Sequence, residues 1–265
     1  MSDESKGISL INADLPEFAE NACKNLTDKP TQSIGQTISD LWQLVLGGRV
    51  AFAAEKQRLK YAAELEEFKK SLEAKVSAIP TENQIEPPLQ IAAQALEDSK
   101  YCVESKELRD MFASLIANSM DSDHMPKIHP SFSKIIQQMS PLDAAMLKII
   151  HAYQNSGGIP IIHFIKKISE MEYEPIIENI PVHFPSNCSP EMAARSIVSL
   201  LRLGLIQSPA GVSFVDQQRY AAFEKMPFYD DLRKESVIRG FKLEMQRRLA
   251  MLTNIGADFV SVCLD

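Results

Sequence analysis

The sequence predicts a mainly α-helical protein, because its composition favours helix and its first half carries a long helical stripe. Only 10 of its 265 residues are glycine, whereas alanine, leucine, glutamate and lysine are abundant. Between residues 41 and 79, apolar side chains recur largely at steps of three, four or seven, as they do on one face of a helix. With 45% hydrophobic residues, the chain can bury a sizeable core in one large or two small domains.

We expect three segments along the chain: residues 1–34 as an N-terminal tail with a short helix, residues 35–127 as a helical region, and residues 128–265 as a second domain. Asp14 and Glu17 form a capping-box pattern that begins the short helix. A long amphipathic helix follows, and its charged face, within "KQRLKYAAELEEFKKSLEAK", is expected to be solvated. Two adjacent glycines, Gly47 and Gly48, are expected to kink this helix, divide it, or let another backbone approach.

Two further helices are predicted near residues 87–99 and 104–119, and a stretch rich in acids and histidines follows them. Within nine residues this stretch holds four potential metal ligands: Asp121, Asp123, His124 and His129. Oxygen and imidazole ligands at such spacing could hold a divalent metal ion. The stretch also joins two helical patterns, where Asp, Ser and Pro ordinarily form turns. We therefore favour a structured joint between helices over a metal site.

The second half of the chain begins with a helix start at Ser140-Pro141-Leu142-Asp143, where a serine N-cap precedes a proline and an acid. Three helices are expected from there, in "LDAAMLKIIHAYQ", "PIIHFIKKISEM" and "SPEMAARSIVSLLRLGLIQ", the last of which ends at Gly204. The sequence "GLIQSPAGVSFV" then alternates around a turn, as a small β-hairpin does. The last stretch, "MLTNIGADFVSVCL", is expected to add a strand and a short helix. Three helices and a hairpin resemble a winged-helix domain, so the predicted fold is an N-terminal helical bundle followed by a winged-helix-like C-terminal domain.

The stretches "ELRDMFASLIANSMDSD" and "HPSFSKIIQQMSPLDAAMLKII", between residues 107 and 150, resemble the signature of the Abi-alpha family. These are bacterial proteins associated with abortive phage infection. The resemblance continues more weakly over residues 35–264. It implies a cytoplasmic, mainly helical bacterial protein linked to phage defence, and it brings no established catalytic site.

The residues that carry the family motif are interpreted as structural. The family usually has an aromatic residue, often tryptophan, where this chain has Phe112, and such a replacement indicates packing rather than chemistry. The motif positions are Glu107, Leu108, Phe112, Leu115, Asn118, His129, Pro130, Phe132, Ser140, Pro141, Leu142 and Asp143.

Basic side chains are the candidates for binding nucleic acid or a protein partner. The helix that would read DNA in a winged-helix domain offers only Arg195 and Arg202, and "RGFKLEMQRRLAM" adds Arg239, Lys242, Arg247 and Arg248. A net charge of -7 opposes sequence-independent nucleic-acid binding, which depends on neutralising phosphates. We therefore expect the winged-helix-like region to be a packing or protein-contact module.

The sequence offers no catalytic residues and no cofactor site. It contains no P-loop, Rossmann glycine pattern, GxSxG elbow or HExxH motif. The acids Glu107 and Asp110 lie at a helix start, where they stabilise the helix dipole. The four cysteines are far apart and are expected to be reduced thiols. The apolar window at residues 41–54 is too short to span a membrane, which makes membrane contact an unfavoured alternative to a buried helix.

These observations favour a non-enzymatic interaction or sensor module in phage defence, with a protein partner or a second copy of the chain as its target. A winged-helix DNA-binding regulator is one alternative. A toxic effector that acts on membrane or nucleic acid is the other. The sequence specifies neither the trigger nor the partner.

Overall fold

A computed structural model describes Trp42, residues 55–169 and residues 172–264. Its α-helices are α1 (Glu55–Ser77), α2 (Leu89–Ser99), α3 (Lys106–Asn118), α4 (Phe132–Gln138), α5 (Pro141–Ala152), α6 (Pro190–Arg202), α7 (Pro227–Arg239) and α8 (Asn254–Cys263). Its strands are β1 (Ile159–Lys167), β2 (Tyr173–Pro181), β3 (Ile206–Gln207) and β4 (Lys242–Leu252). The predicted short N-terminal helix and the effect of Gly47 and Gly48 lie outside the described residues.

The helical first half agrees with the sequence pattern. Helix α1 buries Phe68, Leu72 and Val76 against α3, and α2 packs against both α3 and α4. The centroids of the Trp42 and Phe68 rings are 5.4 Å apart, so the Trp42 side chain packs against α1. The predicted helices near residues 87–99 and 104–119 are α2 and α3.

The second half is built on a sheet, so the prediction of a mainly α fold with a winged-helix-like domain was wrong. Four antiparallel strands, in the order β2-β1-β4-β3, form a curled half-barrel. The stretch "PIIHFIKKISEM", predicted as a helix, contains most of β1, and the basic stretch after α7 is β4. The predicted hairpin is also absent from the described residues: β3 has two residues and pairs with Met251 and Leu252 of β4.

The sequence pattern predicted a helix where β1 lies, because both faces of this strand are buried. Ile159 and Ile161 belong to the larger core, which also contains the buried side chains of α1 to α6 and α8. Ile162 and Phe164 point the other way, into a smaller core with Phe223. Without a solvent face, a strand has no alternation of apolar and polar residues, and a short apolar run is then ambiguous between helix and strand.

The helix ends in this half follow the local sequence, as predicted. Ser140 and Asp143 form a full capping box at the start of α5, and the Ser189 hydroxyl accepts a hydrogen bond from a backbone N–H at the start of α6. Gly204 follows α6 with φ of 74°, a left-handed conformation that favours glycine. These three signals lie within a few residues of the helix ends that they determine.

Helix α8 is held tightly against the rest of the fold. Thr253 accepts from the Gly256 N–H (2.9 Å) and donates to the Gly204 carbonyl (2.6 Å). Asn118 of α3 donates to the Val262 carbonyl at 2.7 Å. A Cβ atom at Gly256 would overlap the carbonyl oxygen of Leu205. Glycine is therefore required where α8 crosses the start of β3.

We expect Gly256→Ala to lower the free energy of unfolding by about 1–3 kcal/mol, the usual cost of overpacking. The sign of this change distinguishes the two effects, because a glycine-to-alanine change inside a helix otherwise raises the free energy of unfolding by about 1 kcal/mol. Urea denaturation measures the difference. Asp258→Ala, on the exposed side of the same helix, is the control and should change stability by less than about 0.5 kcal/mol. A Gly256→Ala protein as stable as the wild type would contradict the close approach.

Candidate functional site

The first part of the family motif lies on α3, between α1 and the C-terminal helix. Leu108, Phe112 and Leu115 are buried in the larger core. The buried Arg109 guanidinium forms an ion pair with Glu64 of α1 and donates to a backbone carbonyl at 2.9 Å. A salt bridge of this kind ties two helices together, because a buried guanidinium left without its partner is strongly destabilising.

The acid and histidine cluster is divided among separate contacts. The buried Asp121 carboxylate accepts from the Asp123 backbone N–H (3.0 Å) and lies 2.9 Å from Nδ1 of His124. The Asp123 carboxylate turns away and accepts from Asn83 (2.8 Å), while His129 lies at the surface beside the first turn of α4. In the described part of the chain, no three His, Cys, Asp or Glu side chains are arranged to hold a metal ion.

Asp121 also joins two distant parts of the backbone. It forms an isolated β-bridge with Gln84, in the connection between α1 and α2. The residues that follow α3 therefore hold the α1–α2 connection in place. A cavity of about 500 Å³ lies beside this bridge, with Lys75, Asn118 and His124 among its walls.

We expect Asp121→Ala to lower the free energy of unfolding by about 1–3 kcal/mol, because it removes a buried carboxylate that accepts from the Asp123 backbone N–H and contacts His124. His129→Ala is the matched control and should cost less than about 0.5 kcal/mol, since this ring is exposed. Chemical denaturation compares the two. A melting temperature that zinc raises in the wild type and not in Asp121→Ala would contradict the joint and support a metal site.

Asp143, at the second helix start of the motif, connects α5 to α6. Besides capping its own helix, its carboxylate accepts from Ser196 at 2.6 Å and from Ser199 at 3.1 Å. Charge-assisted hydrogen bonds of this kind are stronger than neutral ones. The two serines were missed as motif partners because they follow Asp143 by more than 50 residues, so no local pattern links them.

The six predicted basic binding residues do not form one patch. Arg239 pairs with Glu235 at 2.8 Å, and Lys242 pairs with Glu244 at 2.6 Å. Arg202 donates to Gln138, and Arg195 lies on α6. On β4, Arg247 donates to Gln217 and lies over the Tyr220 ring. Arg248 is the next residue of β4 and therefore points to the opposite face of the sheet. Of these six, Arg195 lines the groove described next.

A groove of about 580 Å³ runs between β2 and α6, and we call it the edge groove. Residues 175–179 form its β2 wall, and the α6 wall consists of Glu191, Ala194, Arg195 and Val198. Successive side chains of a strand point to opposite faces of its sheet. All five successive residues of β2 line the groove, so we interpret it as following the strand edge beside α6, which packs against the end of β2 near Ile180. Strand β2 is indeed the last strand on its side of the sheet.

Exposed apolar side chains occur on both walls of the edge groove. Ile176 of β2 is 38% exposed and Val198 of α6 is 50% exposed. Met192 lies next to the groove on α6 and is 47% exposed. Apolar side chains grouped around a concave surface favour binding of another apolar segment.

A buried histidine lies behind the β2 wall. Nδ1 of His163 is 3.1 Å from the Glu178 carboxylate, and its Nε2 has no hydrogen-bond partner among the described residues. Burial lowers the pKa of His163, and the nearby Arg248 charge lowers it further, against the opposing effect of Glu178. The imidazole is thus neutral at pH 7, and it does not neutralise the charge that Glu178 presents to the groove.

We expect stability to fall as the pH is lowered from 7.5 to 5, with part of the change due to His163. Its pKa is lower in the folded chain than in the unfolded one, so its contribution is complete above about pH 6.5 and is lost as the pH falls towards the folded pKa. His163→Gln should flatten this dependence. Unfolding free energies measured across the pH range provide the test. Burial also lowers the pKa of His183, so His183→Gln should flatten the dependence as well, and the comparison separates the two contributions. Equal slopes in wild type and His163→Gln would contradict the assignment.

None of the helices in the described residues combines the length and the apolar character that a membrane crossing requires. Neither curated proteins nor solved structures give a match to this sequence. The family model described as abortive infection alpha matches residues 60–263, which is more than half of the chain and includes the motif, the sheet and the edge groove. Membership associates a protein with abortive infection, a form of phage defence. The chain belongs to the Abi-alpha family.

Proposed function

We propose that this chain is a non-enzymatic interaction or sensor module of abortive infection, and that it binds a protein partner in the edge groove. The observation that carries the proposal is an open strand edge with an apolar groove and a helix beside it. An extended peptide can add to such an edge through backbone hydrogen bonds, while its side chains enter the groove.

Open strand edges are usually protected, because they pair indiscriminately with other strands. Strand β2 has three such protections: Pro175 lacks an N–H, Glu174 and Glu178 carry charge, and its register with β1 is irregular. These features reduce pairing with unsuitable strands without covering the edge. The combination of a guarded edge and an apolar groove supports selective binding of a partner.

The observations give less support to the two other functions suggested by the sequence. A DNA-binding regulator depended on a winged-helix domain, and a half-barrel sheet replaces it. Arg239 and Lys242 are engaged by carboxylates, which compete with phosphate. No specific feature of the described residues favours a toxic effector.

We expect Val198→Asp to abolish phage protection by placing a charge on the apolar wall of the edge groove. Plating efficiency is measured on hosts that produce the variant, with phages that the wild type restricts. Val237→Asp is the matched control. Val237 lies on another helix, α7, and is 77% exposed, so this variant should still protect the host. Melting temperatures and cellular levels of both variants are measured as well, so that loss of protection through unfolding can be recognised. Full protection by Val198→Asp, or equal loss with Val237→Asp, would contradict the proposed site.

A further inference from the structure

We infer that the occupant of the edge groove is an extended, mainly apolar segment of a partner protein that carries a lysine or arginine and adds to β2 as a fifth strand. This inference rests on the proposed function and specifies the chemistry of the partner.

The backbone of β2 can accept a short strand. Among the described residues, the backbone of residues 175–179 pairs only with β1. Pro175 has no N–H to donate, and Asn179 has φ of 61°, outside the extended region. The pairing edge is thus limited to about three residues between them. So short a ladder gives little affinity by itself, and side chains in the groove must supply the rest.

The helical wall of the edge groove can receive an apolar side chain. Ala194 and Val198 are one helical turn apart and face β2 together. Ala194 is buried in the same small core as Ile180 of β2, whereas Val198 is 50% exposed, so an added side chain would contact the helix at Val198. In an added strand, every second side chain points towards the same face. An apolar residue at these alternating positions would cover Val198 and remove apolar surface from water.

The charges of the edge groove select a basic segment. Glu178 faces a neutral imidazole, and Glu191 forms no ion pair within the described residues although Arg195 is four residues away. The groove therefore carries two carboxylates and one guanidinium, a net negative charge. A lysine or arginine near Glu178 and Glu191 is attracted, whereas an acid at that position is repelled.

The same charges argue against a second copy of this chain as the occupant. Strand β2 has the sequence "YEPIIENIP", with two acids and no lysine or arginine. Glu174 is paired with Lys166 at 3.0 Å, but pairing two β2 edges would bring the Glu178 side chains of both copies near each other, and like charges on paired strands are destabilising. A nucleic acid is disfavoured by the same net charge.

The test uses the full chain and three nine-residue synthetic peptides of alternating threonine and valine, labelled with fluorescein. Their central residue is lysine, glutamate or proline. Fluorescence anisotropy at low salt should show the lysine peptide binding at least about fivefold tighter than the glutamate peptide, and the proline peptide not binding, since proline interrupts strand pairing. Hydrogen exchange should slow at residues 176–178 when the lysine peptide binds.

A charge reversal identifies the source of the preference. Glu191→Lys should weaken binding of the lysine peptide and strengthen binding of the glutamate peptide. Glu224→Lys makes the same charge change at an exposed position outside the groove, and should leave the preference unchanged.

Equal affinity for the lysine and glutamate peptides would overturn the inference, as would a concentration-dependent dimer that Glu174→Lys strengthens. If none of the peptides binds but Val198→Asp still abolishes phage protection, the strand-addition inference fails and the proposed function stands. If Val198→Asp protects fully, the proposed function fails whatever the peptides do.

Discussion

The burial of both faces of β1 is the constraint on which the C-terminal half depends. One face packs against the helical core through Ile159 and Ile161, and the other packs against Phe223 and its neighbours through Phe164. Strand β2 is covered much less than β1: its residues 173–176 are exposed, and it becomes buried only towards Ile180. On one side of the sheet, the short strand β3 pairs with Met251 and Leu252 at the end of β4, and α8 and the Gly204 turn hold β3 in place. On the other side the last strand is β2, and the edge groove lies there, between β2 and α6.

Polar contacts from the family motif fix the positions of the helices that surround this core. Arg109 reaches α1, Asn118 reaches α8, and Asp143 reaches α6. Each contact joins segments that are 45 to 144 residues apart in the chain. Such contacts specify which helices meet, whereas the apolar side chains around them supply most of the stabilisation. The motif is therefore a set of connections among helices, and the groove lies on one of the helices that it fixes.

The sequence predicts a structural feature when the residues that determine it lie close together along the chain, and fails when they lie far apart. The starts of α5 and α6 were predicted because Ser140 and Ser189 act within three residues. Strand β1 was not, because two-sided burial removes the alternation that distinguishes a strand. The hairpin expected after Gly204 failed for another reason: β3 pairs with Met251 and Leu252, about 45 residues later. The motif residues could be identified from sequence, but the edge groove combines two separate elements and has no local signature.

The negative charge of the edge groove is a consequence of the core as much as of its own residues. Glu178 would be neutralised by a protonated His163 at 3.1 Å, so the groove's character depends on the charge of that ring. Protonation would place a cation in a buried site beside Arg248, and this destabilises the charged form. Burial of His163 in the sheet, together with the nearby Arg248 charge, lowers the pKa of the imidazole, so this ring does not offset the Glu178 charge. The proposed selectivity at this edge and the stability of the sheet therefore depend on the same buried side chain.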